Sequence, residues 1–149
     1  MNTLANRFLS LLFLGTAAVV VYLAAGTFTR DLAFTELETE VSFWGRGEYH
    51  PEVATVEGVS RSLESLLQLR PSHPDFLALQ ASVFAWQAYW SKGSVAADSY
   101  AIAAVDAQHA SLVSRPAFLP GWGNLATYAA RVQGQEDLIV LAKSRAGGL

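Results

Sequence analysis

The residues able to do chemistry are few and scattered. His50, His73 and His109 lie in separate segments, whereas a metal or acid–base site needs several ligands or titrating groups converging on one point. His50 and His73 stand beside Pro51 and Pro74 in turns, where a solvated or capping role is expected. His109 continues an apolar stripe with Ile102 and Val105, so a neutral imidazole hydrogen-bonded between helices is expected there. Glu57 and Glu64 lie two helical turns apart with Arg61 between them. Paired carboxylates can cleave glycosides, but an Arg four residues after one Glu and three before another is the spacing of surface ion pairs. Ser60, Ser62 and Ser65 accompany them without a Ser-His-Asp set, a nucleophile elbow or a Gly-rich phosphate loop. The chain has no cysteine, so it has no disulfide, thiolate site or cysteine nucleophile. These residues predict no enzyme, no cofactor and no metal. Trp86, Tyr89 and Trp90 form a dense aromatic cluster, and such clusters stack on sugar rings or anchor peptides. Helical spacing assigns Trp86 and Trp90 to the core and leaves Tyr89 off their stripe as a contact residue.

The chain that must position these residues has 149 amino acids, 52% of them apolar, with 10 basic and 13 acidic residues. That is too apolar for a disordered protein. A net charge of -3 argues against nucleic acid as a partner, since phosphate binding rests on clustered Lys and Arg.

From Phe8 to Phe28 there is no charge, and Arg7 and Arg30 bracket the run. At 1.5 Å per residue a helix of that length covers about 30 Å, enough to cross a bilayer. Tyr22 and Phe28 fall where an interfacial ring belongs. The alternative is a cleaved signal peptide, with Ala24 and Gly26 before a cut at Thr27, although the run exceeds a typical signal core. Basic residues flank both ends too thinly to decide orientation. The short stretch ahead of the span favours an N-terminus inside and a C-terminal part exported, and acidic Asp31, Glu36, Glu38 and Glu40 beyond Arg30 agree with that. The location that follows is a bacterial inner membrane, with the C-terminal domain periplasmic or extracytoplasmic.

Beyond the span, Phe34, Leu37, Val41 and Trp44 step by three, four and three along one side of a continuing helix. This stripe either docks on the chain's own domain or forms a seam for a partner helix. Gly45 and Gly47 end the helix, and His50-Pro51 opens a new unit. Further stripes predict four more helices and a short fifth. The first is Val56, Val59, Leu63 and Leu66, within about Glu52 to Leu69. The second is Phe76, Leu79, Val83, Trp86 and Trp90, ending near Gly93. The third is Ile102, Val105, His109 and Leu112. The fourth is Trp122, Leu125 and Tyr128 or Ala129, with Val132, before Gly134. Leu138, Leu141 and Ala142 mark the short last helix. No segment alternates as a strand does, so the fold class is all-α. The organisation is an anchor over 1–29, a juxtamembrane helix and linker over 30–50, and a helical domain over 51–149.

An internal repeat organises that domain. Residues 69–79, with Arg70-Pro71 and then Pro74-Asp75-Phe76 and Leu79, align with residues 114–125, with Arg115-Pro116 and then Pro120-Gly121-Trp122 and Leu125. The first proline terminates a helix, the second suits the first turn of the next, and the aromatic and Leu fill the wedge between paired helices. The pattern resembles degenerate tetratricopeptide repeats: Trp122, Leu125 and Ala126 match the first three signature positions, Ala129 replaces the signature Tyr, and the other copy carries Phe76, Leu79, Gln80 and Val83. The block from Arg115 to Ala126 is also similar to VpsP-like proteins encoded in bacterial exopolysaccharide loci. These resemblances imply a tetratricopeptide-like helical-hairpin domain that helps polysaccharide assembly or export. If the first helices behave as in that family, Leu77 and Ala81, then Gly123 and Thr127, with Arg131 beyond, face a shallow groove.

The resulting expectation is a membrane-anchored, non-catalytic adaptor or scaffold that binds a protein of an envelope or exopolysaccharide complex. Its partner-binding residues would be Phe34, Leu37, Val41, Trp44, Leu77, Tyr89, Thr127 and Arg131. A small structural subunit that assembles through the span and the Phe34–Trp44 stripe is the alternative, and a glycan enzyme using Glu57 or Glu64 is a third. A polysaccharide contact has no support beyond the aromatic cluster.

Overall fold

A computed structural model describes the backbone of residues 3–147 and the side chains of residues 11–147. Arg7, which enters the orientation argument, lies outside the described side chains. Six helices and no strand occur among the described residues: α1 (Thr3–Phe43), α2 (Val53–Leu69), α3 (Pro74–Trp90), α4 (Val95–Val113), α5 (Leu119–Ala129) and α6 (Glu136–Ala146). The chain divides into two compact units, residues 1–36 and 37–149.

The first unit belongs to α1, which has no proline and no break from the anchor into the juxtamembrane stripe. The stretch Leu11–Phe43 is long and apolar enough to cross a membrane, and no part of its most apolar portion is buried. Leu11, Phe13, Leu14, Val21, Tyr22 and Phe28 are all exposed. Three threonine hydroxyls bond within the helix: Thr16 Oγ1 donates to the Leu12 carbonyl at 2.8 Å, Thr27 to Ala24 at 2.8 Å and Thr29 to Gly26 at 3.2 Å. A helix in hydrocarbon requires that internal satisfaction.

The second unit is held by helices that each pack on their chain neighbours, α2 on α3, α3 on α4, α4 on α5 and α5 on α6. In α2 the buried residues are Val56, Val59, Leu63 and Leu66, the stripe that the spacing predicts. The helix starts one residue later than expected, at Val53. In α3, Phe76, Leu79 and Val83 are buried as expected. Trp86 is only half-buried and Trp90 is 43% exposed, so the core assignment of Trp90 is corrected. The stripe runs out at the last turn of α3, where Tyr89 and Trp90 are both exposed.

The largest correction falls on α4. Its buried face is Ala104, Val105, Ala107, Gln108, Ser111 and Leu112, while Ile102 and His109 are exposed. The helix turns small side chains inward, which allows close helix approach, and the imidazole points to solvent. Gln108 takes the buried polar position expected for His109, with Nε2 donating to the Gly121 carbonyl at 3.2 Å and to Ser111 Oγ at 3.3 Å. Gly121 is required here, because a Cβ would stand 2.7 Å from a Leu112 methyl and 2.8 Å from the Phe118 ring.

In α5, Trp122, Leu125, Ala126 and Ala129 are buried, and together with Val105, Leu112 and Ala142 they form one core cluster. Ile139 and Leu138 pack against that cluster, whereas Leu141 is exposed and replaces neither, a second correction to the expected stripe of the last helix. Chain reversals at Gly45, Gly47, Gly93 and Gly134 use positive φ, where an L side chain is strained. Glu57, Arg61 and Glu64 are exposed and no salt bridge joins them, so their spacing is not realised as an ion pair.

Candidate functional site

A cleft of about 340 Å³ opens in the second unit. One wall comes from α3, through Ser82, Ala85, Trp86 and Tyr89. The other comes from α5 and the turn after it, through Asn124, Tyr128 and Arg131. Val41 and Trp44 complete the lining. Helical spacing explains the α3 set, since 82, 85, 86 and 89 step by three and four along one face. The α5 set follows the same rule at 124 and 128 and ends in the turn at 131.

Trp44 is buried and packs edge-to-face on Trp86, ring centroids 6.1 Å apart. Its indole Nε1 donates to Glu40 Oε1 at 3.0 Å, and the Tyr49 hydroxyl donates to the same oxygen at 3.1 Å. One carboxylate therefore ties the last turn of α1 to the loop that follows. That bond is also the main reason the Tyr49 proton is held above the ordinary tyrosine range. The loop brings His50 against the aromatic wall, stacked on Tyr89 at 6.1 Å and edge-on to Trp86 at 6.0 Å. Its Nδ1 lies 3.0 Å from the Glu48 carbonyl. Tyr89 meets Trp86 at 5.4 Å and Trp90 at 5.3 Å. Aromatic pairs in such edge-to-face geometry contribute about 0.5–1.5 kcal/mol beyond their burial.

Across the cleft, Ser82 Oγ and the Tyr128 hydroxyl are 3.1 Å apart and join α3 to α5. Burial raises the Tyr128 pKa, and the Ser82 bond and the Arg131 charge oppose that rise only in part. Arg131 is exposed and forms no salt bridge with a described side chain.

No protein-family model, no curated protein and no solved structure matches the chain.

Of the eight residues that the sequence nominates, the structure brings together four, Val41, Trp44, Tyr89 and Arg131. Trp44 is spent on the domain's own packing, whereas Tyr89 and Arg131 remain open. Leu37 is half-buried near the start of the same unit. Phe34 belongs to the first unit and is half-buried. Leu77 is half-buried and Thr127 is exposed, its Oγ1 donating to the Gly123 carbonyl at 3.0 Å, and neither lines the cleft. Ala81, expected to face a groove, is fully buried. The groove-facing positions are shifted by one residue, to Ser82 on α3 and to Asn124 and Tyr128 on α5. On α3 the shift has a signal in Ser82, which stands among Ala, Leu and Val, whereas on α5 Thr127 and Tyr128 both carry hydroxyls and spacing alone does not choose between them.

His73 is the residue before α3 but makes no capping bond; its ring packs on Phe76 at 4.3 Å and its Nδ1 lies 4.0 Å from Asp75. Among the described residues no group of three His, Cys, Asp or Glu side chains is placed to hold a metal ion.

Proposed function

We propose that the chain is a single-pass membrane protein whose helical unit holds a protein partner in an envelope assembly by docking, with no bond made or broken. The observation that carries the membrane part is the stretch Leu11–Phe43, whose large side chains are exposed and whose threonine hydroxyls bond within the helix. Docking is supported by the open aromatic edge of α3, where Tyr89 and Trp90 are 49% and 43% exposed. Half-exposed aromatic anchors of this kind contribute disproportionately to protein interfaces. The link to exopolysaccharide export rests on the Arg115–Ala126 block alone. The proposed orientation is N-terminus inside, with the helical unit outside a bacterial inner membrane.

Extraction tests the anchor: the chain should stay in membranes washed at alkaline pH, and the mass of its mature N-terminus should retain the first span. Release in soluble form with the leader trimmed would refute it. The absence of cysteine makes topology direct to read, since a single cysteine in place of exposed Ser144 should react with an impermeant maleimide from the periplasmic side. Partner crosslinking should fall on reversing the charge of Arg131 or replacing Tyr89 by Ala. Crosslinking unchanged in those variants but lost on Leu37→Asp would favour the accessory subunit that assembles through the juxtamembrane stripe.

A further inference from the structure

We propose that the cleft between α3 and α5 binds a small ring-bearing carboxylate. The volume, about 340 Å³, lies within the range of small-molecule sites. Trp86 and Tyr89 meet at an interplanar angle of 72° and form an aromatic corner, which suits one flat or puckered six-membered ring. The Ser82–Tyr128 hydroxyl pair, which bridges α3 to α5, retains lone pairs that can accept hydrogen bonds from ring substituents.

The anion follows from the charges. Arg131 is the charged side chain on the cleft lining, which the Asn124 amide shares. A guanidinium presents a planar fork of donors that matches a carboxylate, and an amide adds a further N–H. The neighbouring carboxylate, Glu40, is already engaged by Trp44 and Tyr49. Arg131 also borders a second hollow that contains Asp98, yet no salt bridge joins the two. Arg131 is thus a cation in a lining without an acid, and a bound carboxylate would supply its counter-charge.

Two kinds of molecule carry this chemistry, an aromatic acid and a sugar acid, and they separate by titration. The full-length chain in mild detergent would be titrated with phenylacetate and with glucuronate, each beside its neutral amide, using tryptophan fluorescence and calorimetry. Saturable binding of at least one acid is expected, and the acid that binds identifies the ring. Removing the ligand charge, or making Arg131→Gln, should weaken binding about tenfold, the equivalent of roughly 1.4 kcal/mol. Tyr89→Ala should weaken it as well. The side chains of Arg131 and Tyr89 are exposed, so both variants should keep the parent circular dichroism. Failure of both acids to bind, or equal affinity for the parent and Arg131→Gln, overturns the proposal. The readout uses the purified chain without a partner, so this site and the docking reading can fail separately.

Discussion

The two Arg-Pro turns share a sequence pattern and differ in what they hold. Each is followed by a helix with proline in its first turn, α3 at Pro74 and α5 at Pro120. Each then buries an aromatic and a leucine three residues later, Phe76 with Leu79 and Trp122 with Leu125. There the likeness stops. Trp122 donates its Nε1 hydrogen to the Pro116 carbonyl at 2.8 Å, so the second helix is latched to its own turn, whereas phenylalanine at the matching position has no such donor. Gly121 lets α5 approach α4, while the matching Asp75 of the first copy instead accepts a bond from Arg115 of the second. The arginines diverge as well, since Arg70 is exposed and Arg115 is half-buried over the Phe118 ring at 4.9 Å. The repeated residues set where helices begin and what fills the wedge. The residues that differ between the copies tie one copy to the other.

Emptying the wedge gives the largest expected effect. Trp122→Ala and Phe76→Ala should each destabilise the helical unit by about 3–5 kcal/mol, the usual cost of removing a buried ring. Thermal melts followed by circular dichroism in detergent would measure both. Trp122→Phe keeps most of the ring and loses the latch, leaving the Pro116 carbonyl without that donor, so a loss of about 1 kcal/mol is expected. If Trp122→Phe costs as much as Trp122→Ala, the latch and not the wedge distinguishes the second copy.

Next comes the close approach at Gly121. A Cβ there would collide with Leu112 and Phe118 side chains and crowd Gln108 Nε2 at 3.2 Å. Gly121→Ala should cost about 1–3 kcal/mol through forced repacking. Asp75→Ala at the matching position meets no comparable restriction and should cost less. Equal melting temperatures for Gly121→Ala and the parent would show that α4 and α5 can separate freely.

The same contrast marks what the sequence could show. All four buried residues of α2 were legible because Val and Leu recur every three or four positions beside polar neighbours. In α4 the rule chose Ile102 and His109 because they stand three and four positions from Val105. Val105 and Leu112 are buried as the spacing predicts, but the rest of the interior face is Ala104, Ala107, Ser111 and Gln108, whose amide finds a carbonyl 13 residues away, a partner that no local spacing reveals. The candidate site was half legible for a related reason. Tyr89 stood out as off-stripe and Arg131 lay on the extrapolated face, but the neighbours Ser82 and Tyr128, 46 positions apart, meet only through packing. The second proline of each copy marked where α3 and α5 begin, whereas Ala81, expected from the tetratricopeptide resemblance to face a groove, is fully buried.

A smaller effect is expected at the bond that crosses between the helices of the two copies. Tyr128→Phe removes the hydroxyl contact with Ser82 and should cost about 0.5–1.5 kcal/mol near neutral pH. Tyrosine in the unfolded chain ionises near pH 10, and burial raises the folded value above that. The stabilisation from a neutral Tyr128 is thus fully present below about pH 10 and is lost as pH rises through the raised folded value. Absorbance at the tyrosinate band should show a late step that Tyr128→Phe removes, with the late step of Tyr49 remaining. Titration of Tyr128 alongside the exposed tyrosines would contradict its burial.

The smallest effect belongs to the tie between Asp75 and Arg115, although it spans the two copies most directly. The Asp75 side chain is 45% exposed and that of Arg115 27%, so water and salt screen the charges and the pair should be worth no more than about 1 kcal/mol. Arg115→Gln also gives up the cation over Phe118, a contact worth about 0.5–1 kcal/mol at exposed sites, and should therefore cost more than Asp75→Asn. A double-mutant cycle separates the two terms, because only the pairwise part disappears in the Asp75→Asn background. Raising ionic strength to about 1 M, where the screening length falls to about 3 Å, should shrink the coupling and leave the ring contact largely intact. A coupling above about 2 kcal/mol that survives salt would mean that the charges are far better shielded from water than their exposure allows, and that electrostatics rather than the aromatic wedge holds the two turns in register.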